Sequence, residues 1–218
     1  VGEYRIIPFL KFQGISRLEA VFITHPDEDH CNGIKELIQT GALQGIQIKN
    51  LVLPDIAQTA KEEAYLELER LAAKHDIPVA YISRGQKIAD NQLAITCLHP
   101  THTYVSQNSN EYSTVLTLTV NNFTTMLTGD IEGEGEQMLT QFLQKEKTPP
   151  ITILKVAHHG SKYSTDKEFL EIISPRVALI SAGEDNPYGH PHSELIDRLN
   201  QADCQIYQTN QTGAITVH

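Results

Sequence analysis

The chain has 218 residues, 40% of them hydrophobic and 20% charged, and carries a formal net charge of -10. That suits one globular domain with a sizeable core, while the acidity argues against broad electrostatic binding of a polyanion, which calls for clustered Lys and Arg. No apolar run approaches the roughly 18 to 20 residues of a membrane span, and Val1 is followed by no basic-plus-apolar leader, so the sequence reads as a soluble piece that begins inside a longer protein.

Strand-like and helix-like runs alternate along the whole length, with short connections and no repeat or low-complexity linker. The first expected strand is Ala20–Thr24. It runs into FITHPDEDHCNG, Phe22–Gly33, which packs two histidines and three carboxylates into the six positions from His25 to His30. Like charges this dense repel unless something positive sits among them, and a metal is the first suspect. In an extended segment, alternation sends His25 and Asp27 to one side, while Asp29 and His30 begin a helix and can serve a second ion. Cys31, Cys97 and Cys204 are far apart and odd in number. They read as buried apolar residues and give neither a disulfide framework nor a CxxC site.

Strands are next expected at Ile48–Leu53, Val79–Ile82 and Leu93–Leu98, with a helix over 59–75 opened by the capping box Thr59-x-x-Glu62. His75 falls at that helix's end, where a cation is favoured; His99 and His102 flank the turn at Pro100, and His218 is terminal. All four read as ordinary turn, helix-end or terminal residues, with His99 kept only as a minor candidate for lining a site. Val115–Val120 and Phe123–Thr128 flank Asn121-Asn122, a tight hairpin turn because Asn tolerates positive φ. The second strand ends in LTGD, Leu127–Asp130, and a carboxylate there can bridge two cations with its two oxygens. In the run Glu134–Lys145, Met138, Leu139, Phe142 and Leu143 recur at helical spacing and read as a core face.

Ile151–Val156 leads into KVAHHGSKYST, Lys155–Thr165. Adjacent His158 and His159 point to opposite sides if the backbone stays extended, so that one binds metal while the other faces substrate. Ser161, Lys162 and the amides opening a helix at the capping box Thr165-x-x-Glu168 can hold an anion, since helix starts carry partial positive charge. After Val177–Ser181, the loop GEDNPYGHPH, Gly183–His192, presents His190 and His192 and is stiffened by Pro187 and Pro191. His192 directly precedes Ser193, a helix cap, which makes His190 the preferred ligand. Gln205–Gln208 and Ala214–Val217 read as the last strands. All four clusters follow strand-like runs, and sheets covered by helices are expected. With 8 Tyr, 6 Phe and no Trp, no aromatic stripe with basic interleaving stands out as a base-stacking surface.

Taken in order, THPDEDH, TGD, HHGS and GHP resemble the metallo-β-lactamase fold hydrolases, and within them the soluble C-terminal domain of the ComEC competence proteins, which form the DNA uptake channel of naturally transformable bacteria. The likeness runs from PFLKFQGI, Pro8–Ile15, through SNEYSTVLTL, Ser109–Leu118, to TGAITV, Thr212–Val217. It implies one α/β (α+β layered) domain over residues 1–218, a metallo-β-lactamase αββα sandwich lacking its N-terminal strands. That domain would belong to a longer membrane protein, at the outer face of the cell membrane beside the channel region. The resemblance also implies two divalent ions held by His25, Asp27, Asp29, His30, Asp130, His158 and His190, with Asp29, Asp130 and His159 catalytic and Ser161 and Lys162 positioning phosphate. Of His158 and His159, the first is the chosen ligand. The common family signature has His where Asp27 stands, and the loop NSNEYS, Asn108–Ser113, lacks the usual histidine; the oxygen-richer set admits Mn2+ beside Zn2+. The expected activity is metal-dependent phosphodiester hydrolysis, a nuclease acting on the non-imported, single-stranded DNA. A phosphodiesterase of small esters such as phosphorylcholine and a non-catalytic DNA-handling module are the rival readings.

Overall fold

Strands separated by a helix-length segment can return in the same direction, and parallel pairing of this kind organises both parts of the molecule. The computed structural model describes residues 1–57, 62–102, 104–146 and 149–217. It divides into a first unit of Val1–Ser83 with Thr101–Ser109 and a second of Arg84–Pro100 with Asn110–His218.

In the first unit a π-helical turn, Gly2–Ile6, continues into α1, Ile7–Phe12. β1, Arg17–Leu18, pairs in parallel with β3, Gln47–Ile48. A parallel three-stranded sheet has β4, Leu51–Pro54, between β2, Val21–Phe22, and β5, Val79–Ile82. The helices α2, Glu28–Thr40, and α3, Glu63–Lys74, follow β2 and β4. Tyr65, Leu68 and Ala72 recur at helical spacing on α3 and are buried, and Leu37 of α2 packs with Ile7, Leu10 and Ile46. The expected run Ile48–Leu53 is split: its ends belong to separate sheets, with Lys49-Asn50 between them.

The second unit opens with an antiparallel meander of β6, Lys87–Ala89, β7, Leu93–His99, β8, Val115–Val120, and β9, Phe123–Leu127. Val120 pairs with Phe123 across the expected two-residue turn, and Asn121 takes φ 54°. From β9 onward the pairing is parallel, through β10, Ile153–Lys155, β11, Val177–Ile180, and β12, Gln205–Gln208. The sheet runs β12-β11-β10-β9-β8-β7-β6. Crossovers are α4, Gly133–Lys145, α5, Lys167–Ile173, and α6, Ser193–Gln201; a single turn, α7, Thr209–Thr212, follows β12. Met126, Leu154 and Ala178 of the sheet pack with Leu139 and Leu143 of α4, Phe169 of α5 and Leu195 of α6. Phe142 packs half-buried against that core, and Met138 is half-buried. No strand forms at 214–217, where the chain has turned through α7 and Gly213.

The two expected capping boxes fare differently. Thr59 lies outside the described residues, and α3 begins at Glu63. Thr165 sits at φ 58°, and α5 starts two residues later. The amides just before α5 are met by Glu136 on α4, whose carboxylate accepts the Thr165 N–H at 2.5 Å and the Asp166 N–H at 2.6 Å. Burial pushes the Glu136 carboxyl up to about 7, against the pull of those two amides and of Arg198; Asp166 adds to the rise. Arg198 ties the same segment by donating to the carbonyls of Lys162, Ser164 and Thr165.

Another buried group ends β7. The His99 ring is fully buried and donates its Nε2–H to the Glu111 carbonyl at 2.8 Å. Desolvation pulls this imidazole down to about 4; the bond to Glu111 opposes the shift and the Arg84 charge adds to it.

Replacing Glu136 by Ala leaves two amides without their acceptor, and urea unfolding should show a loss of about 2–4 kcal/mol, with Glu136→Gln losing roughly half as much. For His99 the unfolded ring takes up a proton near 6.5 while the folded ring stays neutral to about 4. The stability it contributes is therefore present above 6.5 and lost as pH falls through that window. The gap in unfolding free energy between the unaltered chain and His99→Gln should shrink by roughly 3 kcal/mol between pH 7 and 4.

Candidate metal centre

In the first unit the strand ladder reaches Ile23, whose N–H donates to the Val52 carbonyl, and Pro26 then removes a donor and ends it. Asp27 is the N-cap of α2 without a side-chain cap bond, and its Oδ1 accepts the Ser109 hydroxyl at 2.9 Å. The following Glu28 and Asp29 lie in the first helical turn, whose partial positive charge offsets part of their repulsion. Fully buried His25 and half-buried His30 stand with ring centres 4.1 Å apart. The Thr24 hydroxyl oxygen lies 3.1 Å from His25 Nδ1 and 3.3 Å from His30 Nδ1. Each Nε2 is turned to a carboxylate: His25 to Asp27 Oδ2 at 3.7 Å and His30 to Asp29 Oδ2 at 3.5 Å. The Cys31 thiol donates to the His25 carbonyl, and burial pushes it up to about 12, so it stays protonated filler and not a thiolate ligand. Cys97 and Cys204 are buried as well, in keeping with the apolar reading.

In the second unit three neighbouring parallel strands end together. Leu127 of β9, Lys155 of β10 and Leu179 of β11 lie level. The loops that follow carry Asp130, then His158 and His159, then His190 and His192, all at the carboxyl ends of the strands, where open parallel sheets place ligands. Thr128 ties the first loop down by donating to the Lys155 carbonyl, and Gly129 at φ 55° turns it. Asp130 is buried, its N–H donating to Ser113 Oγ and its Oδ2 lying 3.4 Å from His159 Nε2. His159 Nδ1 lies 2.8 Å from the Ser181 carbonyl, which can only accept. The proton of the neutral ring is therefore on Nδ1, and Nε2 offers Asp130's neighbourhood a lone pair. His158 Nδ1 is held in the same manner by Glu132 Oε2 at 2.8 Å, and Asn110 donates to the other Glu132 oxygen. His190 stands 5.4 Å from the His158 ring and 4.8 Å from His192. Burial, and after it the neighbouring imidazoles, lowers its proton affinity, with Asp130 opposing the shift.

This donor chemistry fits a divalent cation. Separations of 3.4, 3.5 and 3.7 Å between imidazole nitrogen and carboxylate oxygen exceed a good hydrogen bond. Two donors each about 2.1 Å from one ion at a tetrahedral angle stand about 3.4 Å apart.

Several expectations from the sequence change. His158 and His159 are not extended but left-handed, at φ 45° and 54°, and Gly160 continues the run at 91°. The His159 ring stands beside Asp130, and the His158 ring beside Glu132. The Thr165 and Asp166 amides, just before α5, hold Glu136. Ser161 is buried, and its Oγ accepts the Tyr163 N–H, leaving Lys162 as the one of that pair reaching the surface. His99 is enclosed by Glu111, and His102 Nδ1 pairs with Asp55 at 2.9 Å. Thr24, Ser109 and Glu132 went unnoticed in the sequence; a carboxylate two residues past Asp130 was the one signal available for Glu132.

A sequence profile of the metallo-beta-lactamase superfamily matches residues 2–184. The chain belongs to this superfamily. Its relatives include ComE operon protein 3 of Bacillus subtilis, 34% identical over 99% of this chain and 26% of that protein. Recombination protein 2 of Haemophilus influenzae is 28% identical over 100% of this chain and 24% of its own length. Competence protein ComA of Neisseria gonorrhoeae is 24% identical over 96% and 26%. The chain thus spans about a quarter of the length of these relatives. Among solved structures, the metallo-beta-lactamase fold protein YhfI of Bacillus subtilis superposes with a TM-score of 0.57 at 14% identity, over 88% of this chain and 74% of that one. The diiron β-hydroxylase CmlA of Streptomyces venezuelae gives 0.58 at 10% identity, over 88% and 44%. The fold is the metallo-β-lactamase fold, as the sequence motifs led one to expect.

Gly160 is the residue on which the histidine loop turns: besides its positive φ, a Cβ there would lie 2.6 Å from Pro191 Cβ. Gly160→Ala should cost about 2–3 kcal/mol in urea unfolding, from strained backbone and overpacking together.

Proposed function

We propose that this chain is a metal-dependent phosphodiester hydrolase that degrades single-stranded DNA, with divalent-cation donors at His25, Asp27, Asp29 and His30 in the first unit and at Asp130, His159 and His190 in the second. The supporting observation is the His159–Asp130 pair, in which the ring's proton is committed to Ser181 and its Nε2 faces a buried carboxylate at 3.4 Å. The carboxylates among these donors, with Asp27 standing where the common signature has His, admit Mn2+ beside Zn2+. When bound, such ions lower the pKa of water and neutralise charge growing on the phosphoryl oxygens.

The protein's own groups do the rest. His158, its Nδ1–H held by Glu132, keeps Nε2 for moving a proton to the leaving oxygen, which reverses the roles that the sequence suggested for the two adjacent histidines. Asp130 is held in place through its amide by Ser113, and Asp27 through its carboxylate by Ser109. Lys162 is the candidate for meeting phosphate. The relative named as a competence protein supports DNA as the substrate, and the relatives, being about four times as long, support a setting at the outer membrane face beside a channel region of the same polypeptide. Among the described residues no helix is long and apolar enough to cross a membrane.

One observation favours a second reading. A chain with 17 Lys and Arg against 27 Asp and Glu offers little to a long polyanion, which suits a small ester such as phosphorylcholine.

Asp130→Ala, freed of metal by a chelator and refilled, should show no cleavage of single-stranded oligonucleotides above the metal-free background. His158→Ala should keep its metal while kcat falls by about 10²–10⁴-fold. Full cleavage by the Asp130 variant rejects the proposal; turnover of phosphorylcholine esters but not oligonucleotides selects the second reading, and retention of DNA without turnover under any metal marks a non-catalytic module.

A further inference from the structure

The loops after β10 and β11 bring together rings that lie apart in the sequence. Tyr188 is 74% exposed and lies over His190, with ring centres 5.8 Å apart and 25° between the planes. His190 meets His192 at 4.8 Å, and His192 Nδ1 accepts the backbone N–H of Lys162 at 3.1 Å. The next residue, Tyr163, is 69% exposed, and the Lys162 ammonium stands 5.3 Å from its ring centre. Tyr188, His190, His192, Lys162 and Tyr163 are thus contiguous within the second unit, beginning and ending in a tyrosine turned to solvent.

An isolated exposed aromatic residue is ordinary. Two that are rooted in loops bearing candidate catalytic histidines, with a lysine at one ring, have the composition of a single-strand binding surface: π-faces for bases and a cation for the backbone. We propose that Tyr188 and Tyr163, with Lys162 beside them, form a platform on which unpaired bases flanking the scissile phosphate stack. This deepens the DNA-hydrolase reading and rests on it for the substrate. Stacking also answers the charge difficulty, because it supplies affinity that a chain of net charge -10 cannot draw from long-range attraction. A quaternary ammonium head group suits the platform poorly, since the Lys162 charge repels it where it would meet the Tyr163 face.

The test compares a fluorescein-labelled oligothymidylate with an abasic strand of equal length and charge, by anisotropy, in chelator so that neither is cut. The unaltered chain should bind the base-bearing strand more tightly. Tyr188→Ala and Tyr163→Ala should each weaken that binding by about 5- to 150-fold while leaving the abasic strand's affinity unchanged. Tyr188→Phe and Tyr163→Phe should stay within about twofold, since the ring is what stacks. Equal affinity of the unaltered chain for both strands, or an equal loss for both in the Ala variants, overturns the platform, as does phosphorylcholine displacing the oligothymidylate. Metal-dependent cleavage assayed alongside separates the two claims: cleavage without base discrimination removes the platform alone, and base discrimination without cleavage removes the hydrolase while the platform stands.

Discussion

The chemistry of the second unit depends on three parallel strands that stop at the same level. With Leu127, Lys155 and Leu179 in register, residues a few positions further along each chain have nowhere to go but the same rim of the sheet. Asp130 and His158 each lie three residues past that level, joined through the His158 N–H to the Gly129 carbonyl at 3.2 Å. Convergence here is a consequence of backbone hydrogen bonding, and the side chains needed only to be of the right kind. The price is a left-handed turn at two non-glycine residues, sparsely populated because Cβ crowds the carbonyl. Bonds to Glu132 and Ser181 fix the rings on that strained turn.

The loop is over-determined from its far side too. Glu136 accepts two amides near its end, Arg198 donates to three of its carbonyls, and Ser164 donates to the Ala157 carbonyl. None of these groups touches the candidate centre, yet together they leave the loop little freedom. A carboxylate inside the fold is expensive to bury, and the segment that Glu136 and half-buried Arg198 hold is the one bearing both histidines.

Much of this was legible in the sequence, and the reasons differ by element. Val79–Ile82, Val115–Val120 and Gln205–Gln208 form strands at the expected bounds, because β-branched and aromatic side chains bounded by turn residues suit few other conformations. The Asn121 turn was visible because few residues tolerate positive φ. β6 was not: Lys87, Ile88 and Ala89 are all exposed, so no burial pattern marks them. Glu136 was hidden inside Gly133-Glu134-Gly135-Glu136, which reads as a solvated acidic helix start. The cluster of His25, Asp27, Asp29 and His30 could be read from local density of charge, and Asp130 from its place after Gly129 at a strand end. Which of His158 and His159 faces Asp130 could not, since it depends on a φ that only Gly160 betrays in the sequence. Partners such as Ser109 and Glu132 depend on tertiary placement and have no local signature.

The two flanks of the seven-stranded sheet bear on how the protein behaves in bulk. β6 ends one flank with three solvent-facing residues and a lysine at its start, too short a ladder for another chain to zip onto. On the opposite flank β12 gives way at once to the turn α7, which stops the strand from lengthening. An accumulating preparation of this chain therefore has few footholds for cross-β polymerisation through its largest sheet.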